Sequence, residues 1–537
     1  MLYQMAVPAQ QTTTLELLNR REPHQHQRHE VSTPDISPPT TTTASDSKSL
    51  PLSRKFLLTL VLSNASFVNT ALAQICVIEL PQISKHFSVP PGRQQWILTS
   101  TSLAASCTLL LCGRLADVYG KRRLFRVGVV GMALSCLCTP FAPNEVVFDV
   151  FRAVQGLSGA CALPTAVGII FAALPGEGEG SKAQVYAISC FSAGFPMGNA
   201  VGCVLGGVIG QYLSWRWAFW VMAVETAVGT VLAFTVIPED ARESSPSEVN
   251  GRRKIGKHLD WLGLPLIMAC LVCLLLALSQ GNVVGWTTPW IPTLIATSLL
   301  VLMPGFLYRQ KYLASHGRES EILVKTSLFR NRVFSTAQIV CFIFWACFNV
   351  FLVFATYLYQ DYQGLSEIQT TLRFLPSGVT GVVTVWCTSQ LLSRVDGNII
   401  TGVGMLLIGI ASLLFVAPLP TDTTYWAYGF PAMVLLTLGG DSLYPCLTFL
   451  AMRSIPKEEQ GIGAALFQTL GQVGRSLGIA IATAVSTGVA KAQSPLGEHQ
   501  AQLHGYRAAN WLNFGLSVSA AVLAACVFRS SSTVPGR

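Results

Sequence analysis

Apolar runs of about twenty residues recur along this chain from Phe56 to residue 529, and nothing else in the sequence constrains its fold so tightly. A helix rises 1.5 Å per residue, so roughly 20 residues cross a hydrocarbon core ~30 Å thick. Fourteen such runs can be counted: 56–80, 95–113, 124–142, 146–173, 185–210, 216–237, 260–280, 289–308, 334–358, 372–392, 397–418, 425–452, 462–489 and 508–529. Each is continuously apolar, whereas a membrane-barrel strand would alternate over about ten residues. The pattern predicts an all-α integral membrane protein with fourteen transmembrane helices. Of 537 residues, 51% are hydrophobic and 12% charged, well below the roughly 25% charged residues of soluble domains.

The net charge of +9 does not indicate a nucleic-acid partner, because the cations sit in short loops between apolar runs rather than on one basic face. They report orientation instead. With the N-terminus in the cytosol, and with Arg126, Arg216, Arg373 and Arg529 at run ends counted with the adjoining loops, 28 of the 36 Lys and Arg residues fall on the cytosolic side and 6 outside, with Arg152 and Arg475 well inside spans. Both ends are therefore expected in the cytosol. Nearly all of the fifteen cysteines lie within apolar runs, where they read as small packing residues rather than a disulfide scaffold or a metal site.

Residues 1–55 are rich in Thr, Ser, Pro, Gln and His and read as a disordered cytoplasmic tail. The two most charged loops after it, 238–259 and 309–333, flank a pair of spans and leave six spans on either side. The expected organisation is a six-helix bundle over 56–237, a segment 238–333 of two linkers and two extra helices, a second bundle over 334–529, and a short tail, 530–537.

The sharpest motif is GRLADVYGKRR, from Gly113 to Arg123, in the tight loop between spans 2 and 3. Gly113 and Gly120 permit a close turn, Asp117 sits at the membrane surface, and Lys121, Arg122 and Arg123 hold the loop inside. A phosphate-binding loop is excluded, because six residues separate the glycines and Arg122 follows the lysine. The loop resembles the signature between the second and third helices of the major facilitator superfamily. In span 4, Arg152, Gln155 and Gly156 are similar to its Arg-x-x-Gln-Gly motif. In span 5, Gly194, Gly198, Gly202, Gly206 and Gly207 look like its glycine-rich antiporter motif, although Cys203 stands where the family usually has Pro. Fourteen spans, with LDWLG, ALSQGNVVGW and QGIGAALFQTLGQVGRSLG, resemble the aminotriazole- and boron-resistance branch of the fungal drug:proton antiporters. Leu72 replaces an Asp that many members carry in span 1.

The resemblance implies two six-helix bundles around a central cavity and a gating role for Asp117, whose carboxylate would meet the free amides at the start of span 13, near Gly461 to Ala464. Ionisable side chains inside the membrane are costly and mark function. Asp149 and Arg152, three apart, are expected to pair within span 4. Asp441 and Arg475, at similar depth in neighbouring spans, are expected to pair between helices. Glu225 is a further proton-coupling candidate, whereas Glu79, just before Pro81, reads as a solvated helix end. Gly471, Gly474 and Gly478 echo Gly198, Gly202 and Gly206 as close-packing positions. Gln338, Phe342, Trp345 and Asn349 share one face of span 9 and, with Gln155, are expected to line the substrate cavity.

The resulting expectation is a monomeric, proton-driven exporter of a small organic molecule in the plasma membrane, or else the vacuolar membrane. It uses the proton gradient and needs no bound cofactor or metal. Uptake of a nutrient or export of a boron-like solute is the alternative within transport. A multispan membrane enzyme would need a cluster of His, Asp or Glu at one membrane face, and no such His cluster occurs.

Overall fold

The computed structural model describes residues 52–174, 179–237, 260–318, 322–392, 394–416, 425–456, 459–493 and 497–528. The tails at 1–51 and 529–537 and the linker 238–259 lie outside the described residues. The long helices are α1 (Leu52–Phe87), α2 (Pro91–Tyr119), α3 (Lys121–Cys138), α4 (Glu145–Ala173), α5 (Glu179–Tyr212), α6 (Trp215–Val236) and α7 (Gly263–Val284). There follow α8 (Trp290–Ser315), which contains a π-helical turn at Thr297–Leu302, and α9 (Arg332–Tyr357). The series closes with α10 (Glu367–Leu391), α11 (Gly397–Leu414), α12 (Tyr425–Arg453), α13 (Gln460–Ala492) and α14 (Glu498–Phe528).

Local chemistry starts these helices where the polar loops end. Asn144 caps α4 by accepting the Val147 amide at 2.9 Å, and Asn331 caps α9 through Val333 and Phe334. Ser366 and Gln369 form a reciprocal capping box on α10. Pro81, Pro164, Pro196, Pro376, Pro431 and Pro445 lie inside helices, which neighbouring helices make tolerable in a membrane.

Among the described residues thirteen helices are long and apolar enough to cross a membrane. The run at 372–392, expected to be the tenth span, forms α10 but is too polar to be counted with them. Thr370, Thr384 and Thr388 of α10 are nonetheless buried, and α10 packs against α5 and α12. Its polarity therefore belongs to a helix-helix interface rather than to a surface loop.

The two sets of six helices pack alike. α1 lies along α5, α2 and α3 along α4, and α6 against α1 and α3; α9 lies along α13, α10 and α11 along α12, and α14 against α9 and α11. Each of these contacts in the first bundle has its counterpart eight helices later. The bundles meet through α2 on α13 and α10 on α5, a pair that the same relation exchanges. The glycine echo has the same meaning. A Cβ on Gly198 or Gly202 would strike the α1 backbone at Phe67 and Ala71, and one on Gly474 or Gly478 would strike α9 at Phe342 and Ala346. Gly207 is the exception: nothing lies within 4 Å of its Cβ position, so it faces outward and does not pack.

Candidate functional site

Gly120 has φ of 100°, a conformation that L side chains rarely adopt, and it reverses the chain between α2 and α3 in one residue. Its amide donates to Ala116 O at 3.1 Å, which leaves Asp117 in the closing turn of α2. There the carboxylate reaches across to the second bundle. Gly461 N donates to Asp117 Oδ1 at 3.0 Å, and Ile462 N donates to Oδ2 at 2.9 Å. The first-turn amides of a helix have no acceptor within it, and its dipole favours an anion there. Asp117 thus caps α13 from another bundle.

Glycines make the approach possible. A Cβ on Gly113 would lie 2.8 Å from Gly461 O, and one on Gly461 would fall on the Asp117 carboxylate. Lys121 opens α3 beside Arg122 and Arg123, and its aliphatic stem covers Gly168 of α4, where a Cβ would sit 3.0 Å from Lys121 Cδ.

Further contacts join the bundles from this end, where α1 begins and α14 ends, to about mid-depth. Tyr186 of α5 donates to Gln390 of α10 at 3.1 Å. Phe171 of α4 meets Phe449 of α12 with ring centroids 6.3 Å apart. Deeper in, Phe195 of α5 meets Tyr444 of α12 at 5.5 Å, and Tyr444 also touches Trp345 of α9 and Phe467 of α13. Among the described residues these rings join the two bundles at that level.

The buried ionisable groups differ from the expected pairs. Arg152 is 1% exposed and donates to Gln155, not to Asp149. Gln155 in turn donates to Cys136 Sγ at 3.2 Å. One helical turn separates both Asp149 and Gln155 from Arg152, and the guanidinium takes the inward one; Asp149 Oδ1 has no hydrogen-bond partner. Gln155 is 1% exposed and belongs to the core of the first bundle.

Asp441 and Arg475 do not pair either. Among the described residues no ion pair includes either side chain, and α12 touches α13 only slightly. Asp441 instead faces Gly381 of α10, whose Cβ position is 2.5 Å from Asp441 Oδ2 and 2.6 Å from Pro196 of α5. It stands, half-buried, where three helices from both bundles converge. Arg475 is exposed.

Glu225 of α6 is half-buried beside Asn64 of α1 and Thr226. Glu79, read from sequence as a solvated helix end, is 1% exposed. It packs against Gly210 of α5, and neither carboxylate oxygen has a hydrogen-bond partner. Pro81 does not end α1, which continues to Phe87 and carries Glu79 inside the bundle.

The span 9 face packs against α13. The Phe342 backbone and the Trp345 ring cover Gly474 and Gly471 of α13. Asn349 donates back to Trp345 O at 2.8 Å. This face seals α9 against α13 because the glycines leave no side chain to hold it off. Gln338 alone of the set keeps an unused polar group: it is 2% exposed and both amide atoms lack partners. Sequence reasoning missed Tyr444 and Phe195 because each becomes central only through contacts between distant helices.

A family model described as Major Facilitator Superfamily matches residues 62–479. The chain is 28% identical to a low affinity ammonium transporter of Saccharomyces cerevisiae over 79% of each chain. It is 27% identical to the efflux pump terJ of Aspergillus terreus over 88% of each chain. With the aminotriazole resistance protein of Saccharomyces cerevisiae it shares 25% identity, covering 85% of this chain and 80% of that one. In three dimensions it is similar to the human organic anion transporter MFSD10, with a TM-score of 0.58 and 16% identity, covering 88% of this chain and all of that one.

Proposed function

Because this chain belongs to the Major Facilitator Superfamily, we propose that it is a proton-coupled secondary transporter that exports a small organic molecule. Among the described residues most loop cations lie at the end where α1 begins and α14 ends, which supports reading that end as the cytosolic one. The observation that carries the reading is the double hydrogen bond from Gly461 and Ile462 to Asp117. It is a latch between bundles at the cytosolic end, made of one side chain and one helix terminus. It breaks as a unit when the bundles rock apart.

With the latch closed, the two bundles are held together at that end, and passage between them can open only towards the other side. Opening it admits cargo from the cytosol, and closing it commits the cargo to the other side. Asp441 is the proton carrier in this reading. Unlike Glu225 and Asp149, which sit within the first bundle, it faces Gly381 of α10 where Pro196 of α5, from the other bundle, also approaches. An ionisable group there changes its surroundings with each turn of the cycle, as coupling requires. The relative named as an efflux pump supports the outward direction. The relative named as an ammonium transporter supports a second reading, movement of a small cation by the same latch.

The test is transport in sealed vesicles with an imposed pH gradient, against a panel of organic drugs, borate and ammonium. Export that follows the gradient and stops when it collapses is expected. Export unchanged by collapse overturns proton coupling, and gradient-driven movement of ammonium alone favours the second reading.

A further inference from the structure

The α7–α8 hairpin stands outside the twofold packing of the bundles, yet α7 lies against both α2 and α13, the two helices that the Asp117 contact joins. Its polar contacts run in the same direction. Asp260, at the entrance to α7, is 2% exposed. It accepts from Arg309 Nε at 3.1 Å and from Gln310 Nε2 at 3.0 Å, near the end of α8. The hairpin is thus tied shut at the end where the latch lies.

Gln310, 4% exposed, also accepts the Leu323 amide through Oε1 at 2.9 Å. Residues 322–331 then cross to the second bundle with Leu323 and Leu328 buried. Lys325 Nζ lies 2.5 Å from Glu459 Oε1, and Asn331 Nδ2 donates to Ser454 O at 2.8 Å. Glu459 directly precedes Gln460, the first residue of α13. The strap therefore ends beside the amides that Asp117 accepts.

We propose that Asp260, Gln310 and Lys325 are positioning residues for the latch. Through them the inserted hairpin holds the first turn of α13 where Asp117 can cap it. The Lys325–Glu459 pair, open to water on its lysine side, alone holds little, since water screens it. The buried Asp260–Gln310–Leu323 relay holds its geometry, because each donor and acceptor would otherwise be left unsatisfied away from water. The proposal rests on the reading of Asp117 as a transport latch, and its test separates the two.

The measurement is hydrogen exchange of the α13 first-turn amides in the full-length protein, which reads the latch without any substrate. Asp117→Asn supplies the scale for an open latch. Gln310→Leu is expected to speed exchange there by roughly two- to tenfold, with amides of the α4 core unchanged. Lys325→Glu should act in the same direction, and Lys325→Glu combined with Glu459→Lys should restore protection. If Asp117→Asn speeds exchange while Gln310→Leu and Lys325→Glu do not, the strap has no such role and the latch stands. Equal acceleration in α4 would mark general destabilisation and overturn the proposal. If Asp117→Asn itself changes nothing, the latch reading fails and the strap falls with it.

Discussion

Gly113 and Gly461 face each other so closely that a Cβ on either would lie within 3 Å of the other's carbonyl oxygen, at 2.8 and 2.9 Å. This mutual approach, between helices from different bundles, sets the distance at which Asp117 can reach two backbone amides. Crowding it by one methyl group should cost about 1–3 kcal/mol in the closed state. Gly113→Ala and Gly461→Ala are expected to reach the membrane in normal amounts and to transport at least several-fold more slowly. Wild-type transport in both would mean that the helices need not meet this closely.

The Asp117 carboxylate uses both oxygens, so its substitutions should rank. Asp117→Asn keeps one acceptor oxygen and loses the charge that the helix terminus favours, while Asp117→Ala loses both. A hydrogen bond to a charged group contributes about 1.5–3 kcal/mol. The expected order of residual export is wild type, then Asn, then Ala. Equal activity of Ala and wild type at equal surface level would remove Asp117 from the cycle.

For Arg152 the two expected partners can be told apart by stability. Gln155→Ala leaves a buried guanidinium without its acceptor, and a hydrogen bond to a charged group contributes about 1.5–3 kcal/mol. A clear drop in the detergent melting temperature is expected. Asp149→Asn, which removes no hydrogen bond of Arg152, should melt close to wild type. Melting losses of the same size in both would restore the Asp149 pairing.

Asp441 and Arg475 should behave as independent sites. Groups that do not touch have additive effects, and exchanging them rescues nothing. Asp441→Asn is expected to leave transport that no longer follows the pH gradient, and the Asp441→Arg, Arg475→Asp exchange should be no better than the worse single change. Rescue by the exchange would place the two side chains together during the cycle.

How much of this was legible beforehand follows from where the forces act. Helix number and length, the twofold plan and the Gly113–Arg123 loop depend on hydropathy over consecutive residues and on local turn chemistry, so they can be read along the chain. The run at 372–392 shows the limit. Its threonines depress its hydropathy, and only the neighbours α5 and α12 explain why a polar stripe is buried there. Partner choice escaped the sequence for the same reason. Periodicity places Asp149 and Gln155 equally one turn from Arg152, and depth alone places Asp441 beside Arg475. The packing of α4 gives Arg152 to Gln155, and the slight contact between α12 and α13 turns Asp441 toward Gly381 instead. A sequence determines which side chains a helix carries and at what depth. Which of them meet is decided by the rotation of each helix against its neighbours, and that rotation is the sum of many weak packing contacts made by residues far apart in the chain.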